Sequence, residues 1–159
     1  LKTTFIQLLA AYNVFNNEGI YIAPKIGEKV FQNGKFSTLY GEQKGEKILP
    51  KSANETMKKM LIAAIEKGTG KKAFTEGLII GGKTGTARIA QKGGYTGNRY
   101  NASFFGFAND ANNAYTIGVL VRDPTKAYSY YAAQSALPIF KDTIDILVRE
   151  GFLKPSAKP

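Results

Sequence analysis

The 159-residue sequence contains no cysteine, no histidine and no tryptophan. Without cysteine there is no thiol nucleophile and no thiolate metal ligand. Without histidine, neither a Ser-His-Asp triad nor a Cys/His zinc site can be built within this chain. Any general base must then be Lys, Asp, Glu or Tyr. No apolar run reaches the roughly 20 residues that cross a bilayer. No signal-peptide pattern is visible either. The first residue is Leu rather than Met, so the sequence reads as a piece of something longer.

With 43% hydrophobic and 21% charged residues, the chain has the balance of one globular domain long enough to bury a core. Lys and Arg number 22 against 12 Asp and Glu, a formal charge of +10. Such a surface favours anionic partners, although a solvated basic face accounts for it equally well. Nine Tyr and ten Phe could stack on bases. No recognition-module pattern orders them, so nucleic acid is not an expected partner.

Periodicity predicts a helix over residues 4–16, opened by a Thr4/Gln7 capping box and carrying Phe5, Leu8, Leu9, Tyr12 and Phe15 at helical spacing. Residues 20–24 read as extended. Asn33-Gly34 between two apolar runs predicts a hairpin over 28–40, and residues 41–47 read as exposed polar chain. A second helix spans 52–67, with a Ser52/Glu55 capping box, Gly68 as its C-terminal cap and an apolar stripe of Met57, Met60, Leu61, Ala64 and Ile65. Residues 69–76 form a loop. Strands follow over 78–89, 103–108 and 114–122, with a polar loop at 91–100 and a turn at 110–113, and short connections make them antiparallel neighbours. A last helix covers 132–150. Pro138 must sit in its first turn or kink it, and the tail after Gly151 reads as loose. Helices and a hairpin, then strands, then a helix give an α+β fold with an antiparallel sheet covered by helices.

The most chemically pointed stretch is Gly81-Gly82-Lys83-Thr84-Gly85-Thr86-Ala87. If it is extended, side chains alternate: Lys83, Gly85 and Ala87 share one face, and Thr84, Thr86 and Arg88 the other. Such an edge offers a cation, hydroxyls and backbone N–H groups to an anionic ligand. Two readings compete for Lys83. Gly77 to Thr84 fits the P-loop pattern G-x-x-x-x-G-K-[ST], but that motif needs a strand before its first glycine and a helix starting at the lysine. A polar loop precedes Gly77, and Gly85, Thr86 and Ile89 are weak helix formers. The run into Arg122-Asp123 imitates a magnesium-binding aspartate only weakly. The other reading is Lys-Thr-Gly on a strand, a motif of serine β-lactamases and penicillin-binding proteins.

The surroundings carry the second reading further. Gln7-Leu-Leu-Ala-Ala-Tyr12 with Asn17-Glu-Gly19 and Ala23-Pro24, Met60-Leu61 through Glu66-Lys67-Gly-Thr-Gly-Lys-Lys-Ala73, Gly82-Lys-Thr-Gly-Thr-Ala87, Ser103-Phe-Phe-Gly-Phe-Ala108, Tyr115-Thr-Ile-Gly-Val-Leu-Val121 and Ala136-Leu-Pro-Ile-Phe140 together resemble the transpeptidase domain of class B penicillin-binding proteins. The resemblance covers nearly the whole chain and implies a β-lactamase/transpeptidase-like fold. The family also needs a Ser-x-x-Lys nucleophile motif and a Ser-x-Asn motif. No Ser here has Lys three residues later. Ser52-Ala53-Asn54 fits Ser-x-Asn as text only, since a capping box already occupies Ser52 and the family's motif precedes this region. Residues 1–159 therefore read as the C-terminal part of such a domain, lacking the segment with the nucleophilic serine.

In the family, serine attacks the D-Ala-D-Ala bond of a peptidoglycan stem peptide, and β-lactams acylate the same serine. By that resemblance Lys83 supplies positive charge near the substrate carboxylate and orders proton transfer. The Thr84 and Thr86 hydroxyls hold that carboxylate, Gly85 leaves room for the substrate, and the Thr86 backbone N–H is an oxyanion-hole donor. Lys83 and Thr86 are thus the catalytic candidates, and Thr84, Gly85 and Thr86 the substrate-binding ones. No cofactor and no metal is implied. The implied partners are stem peptides, β-lactams, the N-terminal part of the same protein, and cell-wall synthesis and division proteins. The implied location is the inner membrane with this portion on the periplasmic side, and the closing-helix block leans toward a division role. An exposed sheet edge at 114–122 is expected to self-associate or to retain another segment. The chain alone is expected to be inactive. The alternative is a non-catalytic binding or structural domain of the same fold.

Overall fold

The computed structural model describes residues 3–41, 43–89, 99–125 and 130–157. Helix α1 (Phe5–Asn16) starts where its sequence requires. Thr4 accepts from the Gln7 backbone, and Gln7 returns a bond to the Thr4 N–H, so the capping box is complete. Strand β1 (Ile20–Tyr21) follows. Strands β2 (Lys29–Gln32) and β3 (Lys35–Thr38) form the expected hairpin. Asn33 and Gly34 both take positive φ, 51° and 75°, the geometry of a tight two-residue hairpin turn.

The exposed polar chain expected over 41–47 is exposed at Gly41 and at residues 44–47. Glu46–Lys47 is a short strand, β4, paired antiparallel with β1. Helix α2 (Lys51–Glu66) begins one residue earlier than the sequence predicts. Pro50 is its N-cap, and the Asn54 N–H donates to the Pro50 carbonyl at 3.0 Å. Ser52 then lies inside the first turn and makes no side-chain cap, while Glu55 pairs with Lys51 at 3.9 Å. Proline's fixed φ suits a helix start, and it displaces the Ser52/Glu55 box. The C-cap is Lys67, and Gly68 follows it at the position expected of a terminating glycine, although without positive φ. The apolar stripe also divides. Leu61 and Ile65 are buried, whereas Met57 and Met60 are exposed.

A short 3-10 turn (Lys71–Ala73) leads to the main sheet. Strands β5 (Ile79–Arg88), β6 (Tyr100–Asn109) and β7 (Ala114–Arg122) are antiparallel in the order β5-β6-β7. The expected loop at 91–100 falls outside the described residues except for Arg99 and Tyr100. Helix α3 (Ala136–Arg149) starts four residues later than predicted. Pro138 explains this: its ring and missing N–H confine it to a first turn, and here it is the third helical residue. Among the described residues, no helix is long and apolar enough to cross a membrane.

The core lies between the sheet and α3. Phe104 and Phe140 are fully buried with ring centroids 4.4 Å apart, surrounded by Ile65, Ile80, Leu137 and Ile144. On the other face, Phe105 meets Phe5 and Tyr12 of α1 at 5.2 and 5.6 Å. Burial there pushes the Tyr12 phenol above its ordinary value. The sheet thus carries α3 on one face and α1 on the other, while α2 runs against β5.

The tail is anchored, contrary to expectation. Leu153 is buried in the core, and the Ser156 N–H donates to the Gly77 carbonyl at 3.0 Å. The Lys154 N–H donates to Asp110 Oδ2 at 2.7 Å. Asp110 also accepts from the Asn112 and Asn113 backbone and the Asn113 side chain, closing the β6–β7 turn. These bonds, Asn113's side chain foremost, hold its carboxyl well below the ordinary 3.8. A depressed folded-state pKa contributes stability that is present above the unfolded value and lost as pH falls toward the folded one. Urea midpoints should therefore fall as pH drops below about 4. Asp110→Asn should flatten that part of the profile, and an unchanged profile in the variant would contradict this role.

Candidate active site

Strand β5 owes its position to its glycines. Gly82 stands opposite Gly106, and a Cβ at Gly82 would fall 2.5 Å from the Phe104 ring. A residue with a side chain cannot occupy that place without moving the fully buried Phe104 ring. The strand therefore lies flush on Phe104 and Phe107. Immediately beyond Gly82 its burial changes: Ile80 to Gly82 are buried, Lys83 is exposed, and Thr84 and Gly85 are half-buried. The motif starts where the strand leaves the core.

Among the described residues no strand pairs with the outer edge of β5. In an antiparallel pair, alternate residues turn their N–H and C=O away from the partner, so backbone donors line this edge. Lys83 does sit in the register opposite Phe105, on the face away from Thr84. Its ammonium nevertheless bends back. Lys83 Nζ donates to Thr84 Oγ1 at 3.1 Å and to the Thr84 carbonyl at 3.3 Å. The alternation that separates Lys83 from the threonines in the sequence is thus undone by the length of the lysine side chain.

The two hydroxyls are held from neighbouring elements. Thr84 Oγ1 lies 3.1 Å from Thr69 Oγ1, in the turn after α2. Thr86 Oγ1 accepts the Ala132 N–H at 3.3 Å, from the segment before α3. Beside Thr69 lies a cleft of about 430 Å³ whose lining includes Thr69, Lys71, Lys72, Gln134 and Leu137 but no residue of β5. A Cβ at Gly85 would lie 2.7 Å from Ser103 Oγ, and that hydroxyl donates to the Gly85 carbonyl at 3.4 Å. The structure brings Lys83, Thr84, Gly85 and Thr86 onto one strand segment, with Lys83 and Thr86 exposed and Thr84 and Gly85 half-buried. The largest cavity among those described, about 640 Å³, is lined by α1, residues 22–25 and Ala114–Thr116 and includes no residue of β5.

The P-loop reading fails here. Lys83 is in mid-strand, and no helix starts at it. Asp123 is tied to Arg99 at 2.7 Å, which removes it as a free metal ligand. Ser52 and Asn54 do not cooperate either. Two residues apart on a helix they are about 200° apart, and Asn54 is buried with its Nδ2 on the Phe15 carbonyl while Ser52 is exposed. The motif is thus excluded by helix geometry rather than by a capping box.

Sequence reasoning missed several neighbours of the strand. Tyr100 and Tyr130 stack at 4.6 Å, Tyr131 joins them at 4.4 Å from Tyr130, and Arg88 lies over Tyr100 at 5.9 Å. The Tyr130–Tyr131 hydrogen bond, followed by the proximity of the second phenol, raises the Tyr130 pKa. Thr69 carried one signal in the sequence: it stands between two glycines, Gly68 and Gly70.

The family model described as the penicillin binding protein transpeptidase domain matches residues 1–145. The chain is 28% identical over 145 residues to a probable peptidoglycan D,D-transpeptidase PenA of Neisseria flavescens, covering 91% of this chain and 34% of that protein. It is 31% identical over 170 residues to a peptidoglycan D,D-transpeptidase FtsI homolog of Mesostigma viride, covering 98% of this chain and 28% of that protein. The chain therefore spans about a third or less of these curated relatives. Among solved structures, penicillin binding protein 3 of Mycobacterium tuberculosis complexed with ampicillin superposes with a TM-score of 0.76 at 27% identity, covering 99% of this chain and 37% of that one. The fold is that of the β-lactamase/transpeptidase class.

Proposed function

We propose, from the premise that the chain belongs to the penicillin-binding-protein transpeptidase family, that it supplies the Lys-Thr-Gly strand of a serine D,D-transpeptidase that cross-links peptidoglycan stem peptides. The observation that carries this is the convergence of the Lys83 ammonium with the Thr84 hydroxyl on a strand edge that no strand among the described residues pairs, with Thr86 two residues on. The nucleophile belongs to another segment of the longer protein. Its serine Oγ attacks the penultimate D-Ala carbonyl, the C–N bond to the terminal D-Ala breaks, and that D-Ala leaves as the free amino acid. An amine of a second stem peptide then attacks the ester carbonyl, forms the cross-link and restores the serine.

Each residue of the strand has a role in that sequence. The substrate ends in a carboxylate, which Thr84 and Thr86 bind by hydroxyl donation while Lys83 supplies the opposite charge. Charge-assisted hydrogen bonds of this kind are about twice as strong as neutral ones. The Thr86 N–H donates to the oxygen that becomes negative as the tetrahedral intermediate forms, and Gly85 lets the substrate lie along the strand. A β-lactam carries a similar carboxylate beside its strained amide and takes the same place, in keeping with the ampicillin complex of the mycobacterial neighbour. We further propose, as the family resemblance implies, that the longer protein works at the inner membrane with this portion periplasmic and serves division; among the described residues no helix is long and apolar enough to be its anchor. Strand β7 ends the sheet among the described residues, and we assign that edge to another segment of the same protein or to a second copy.

The test is labelling of source membranes with a fluorescent penicillin. The expected result is a labelled protein, longer than 159 residues, that contains these peptides and has its adduct on a serine elsewhere. The chain by itself is expected to stay unlabelled. A longer intact protein that never labels would favour a non-catalytic domain in which Lys83 only grips a partner.

A further inference from the structure

We infer that Thr69 is a positioning residue that fixes the direction of the Thr84 hydroxyl bond to the substrate carboxylate. The inference rests on the transpeptidase reading and adds to it a residue from outside the Lys-Thr-Gly strand.

A hydroxyl has one proton to give and two lone pairs to receive. At Thr84 one lone pair is taken by Lys83 Nζ at 3.1 Å, because an ammonium can only donate. The other hydrogen-bonding neighbour of its hydroxyl among the described residues is Thr69 Oγ1, also at 3.1 Å, and either oxygen of that pair can be the donor. A carboxylate only accepts. Once it binds, Thr84 must give it the single proton, and Thr69 must donate to the second lone pair. Lys83 and Thr69 together then leave Thr84 no role but donor. Without the Thr69 hydroxyl, the Thr84 rotor loses one of its two anchors.

The backbone around Thr69 is built to hold it there. The Gly70 N–H donates to the Ala64 carbonyl at 3.0 Å, and the Ala73 N–H to the Gly70 carbonyl at 2.8 Å. Ile65 and Ala73, on either side, are 1% and 0% exposed. A Cβ at Gly68 would fall 2.8 Å from the Ala64 carbonyl, and one at Gly70 2.6 Å from Ile65 Cδ1. Only residues without side chains let the turn close so tightly on the end of α2. The threonine itself is exposed, so it is fixed by its backbone and not by burial of its side chain. A hydroxyl on a rigid turn, aimed at another hydroxyl, preorganises a site where a flexible loop would not.

The experiment uses the longer protein and benzylpenicillin, measuring the acylation rate across ligand concentrations so that binding and bond formation separate. Thr69→Val is expected to lower the second-order rate by about tenfold, mainly through weaker binding, because a hydrogen bond serving a charged ligand is lost. Thr69→Ser, which keeps the hydroxyl, restores the rate to within about twofold. In a Thr84→Val background the Thr69→Val change should add nothing, since the residue acts through Thr84. Thr69→Ala replaces valine if that variant fails to fold, with melting temperature as the control. Equal rates in Thr69→Val and the parent overturn the inference, as does full additivity with Thr84→Val. A parent protein that forms no adduct at all overturns the transpeptidase reading itself.

Discussion

Replacing Lys83 with alanine in the longer protein is expected to slow acylation by benzylpenicillin by about 10²–10³-fold. The magnitude follows from what the ammonium does and where it sits. Two unit charges about 4 Å apart interact by about 4 kcal/mol at the effective dielectric of a protein surface. Lys83 is exposed and already donates to Thr84, so on the proposed reading alanine removes both the charge that would face the substrate and one anchor of the hydroxyl beside it. The fold should not notice. No buried group depends on Lys83, and the strand is held by its register against β6. Melting temperature should therefore be unchanged within about 0.5 kcal/mol of stability, as for other surface substitutions. A Lys83→Ala protein that acylates at the parental rate would remove the lysine from the mechanism. One that unfolds would make it structural.

The second large effect lies beneath the strand. Phe104→Ala is expected to destabilise the chain by about 3–5 kcal/mol, measured as a lowered urea midpoint. Phe104 is 0% exposed, stands opposite Thr84 in the register and packs on Phe140 at 4.4 Å. Truncation removes the ring on which Gly82 rests and leaves a cavity that the sheet, pinned by β5 and β7 on either side, cannot readily close. The site loses its floor together with the core. A variant less stable by under about 1 kcal/mol would show that the strand's position does not depend on this ring.

What could be read in the sequence was what short-range chemistry decides. Thr4 and Gln7 cap α1 through bonds three residues apart, and Asn33-Gly34 sets its hairpin with its own φ angles. The extended character of Lys83 to Arg88 was equally legible, because glycine and β-branched residues disfavour the helix a P-loop would need. The errors arose where distant partners or a competing local signal decide. Strand β4 is two polar residues whose only reason to be a strand is β1, some 25 positions away. The tail after Gly151 looks loose until Leu153 meets the core and Lys154 meets Asp110. Pro50 outcompetes Ser52 for the start of α2. At the site, the identities of Lys83, Thr84, Gly85 and Thr86 were visible in a row. The supports for their hydroxyls, Thr69 and the Ala132 N–H, are tertiary contacts, and no spacing rule announces them. Met57 and Met60 show the same limit in reverse. Helical periodicity places them on the apolar stripe with Leu61 and Ile65, yet the chain described here leaves both exposed.

The central claim is that this strand binds the carboxylate and the developing oxyanion of an acylating ligand. The most direct measurement is a crystal structure of the longer protein acylated by ampicillin. The ligand carboxylate is expected within hydrogen-bonding distance of the Thr84 and Thr86 hydroxyls, with the Lys83 ammonium beside it. The ester carbonyl oxygen is expected on the Thr86 N–H. A covalent adduct whose carboxylate lies away from this edge, with Thr84 still bonded only to Lys83 and Thr69, would contradict it.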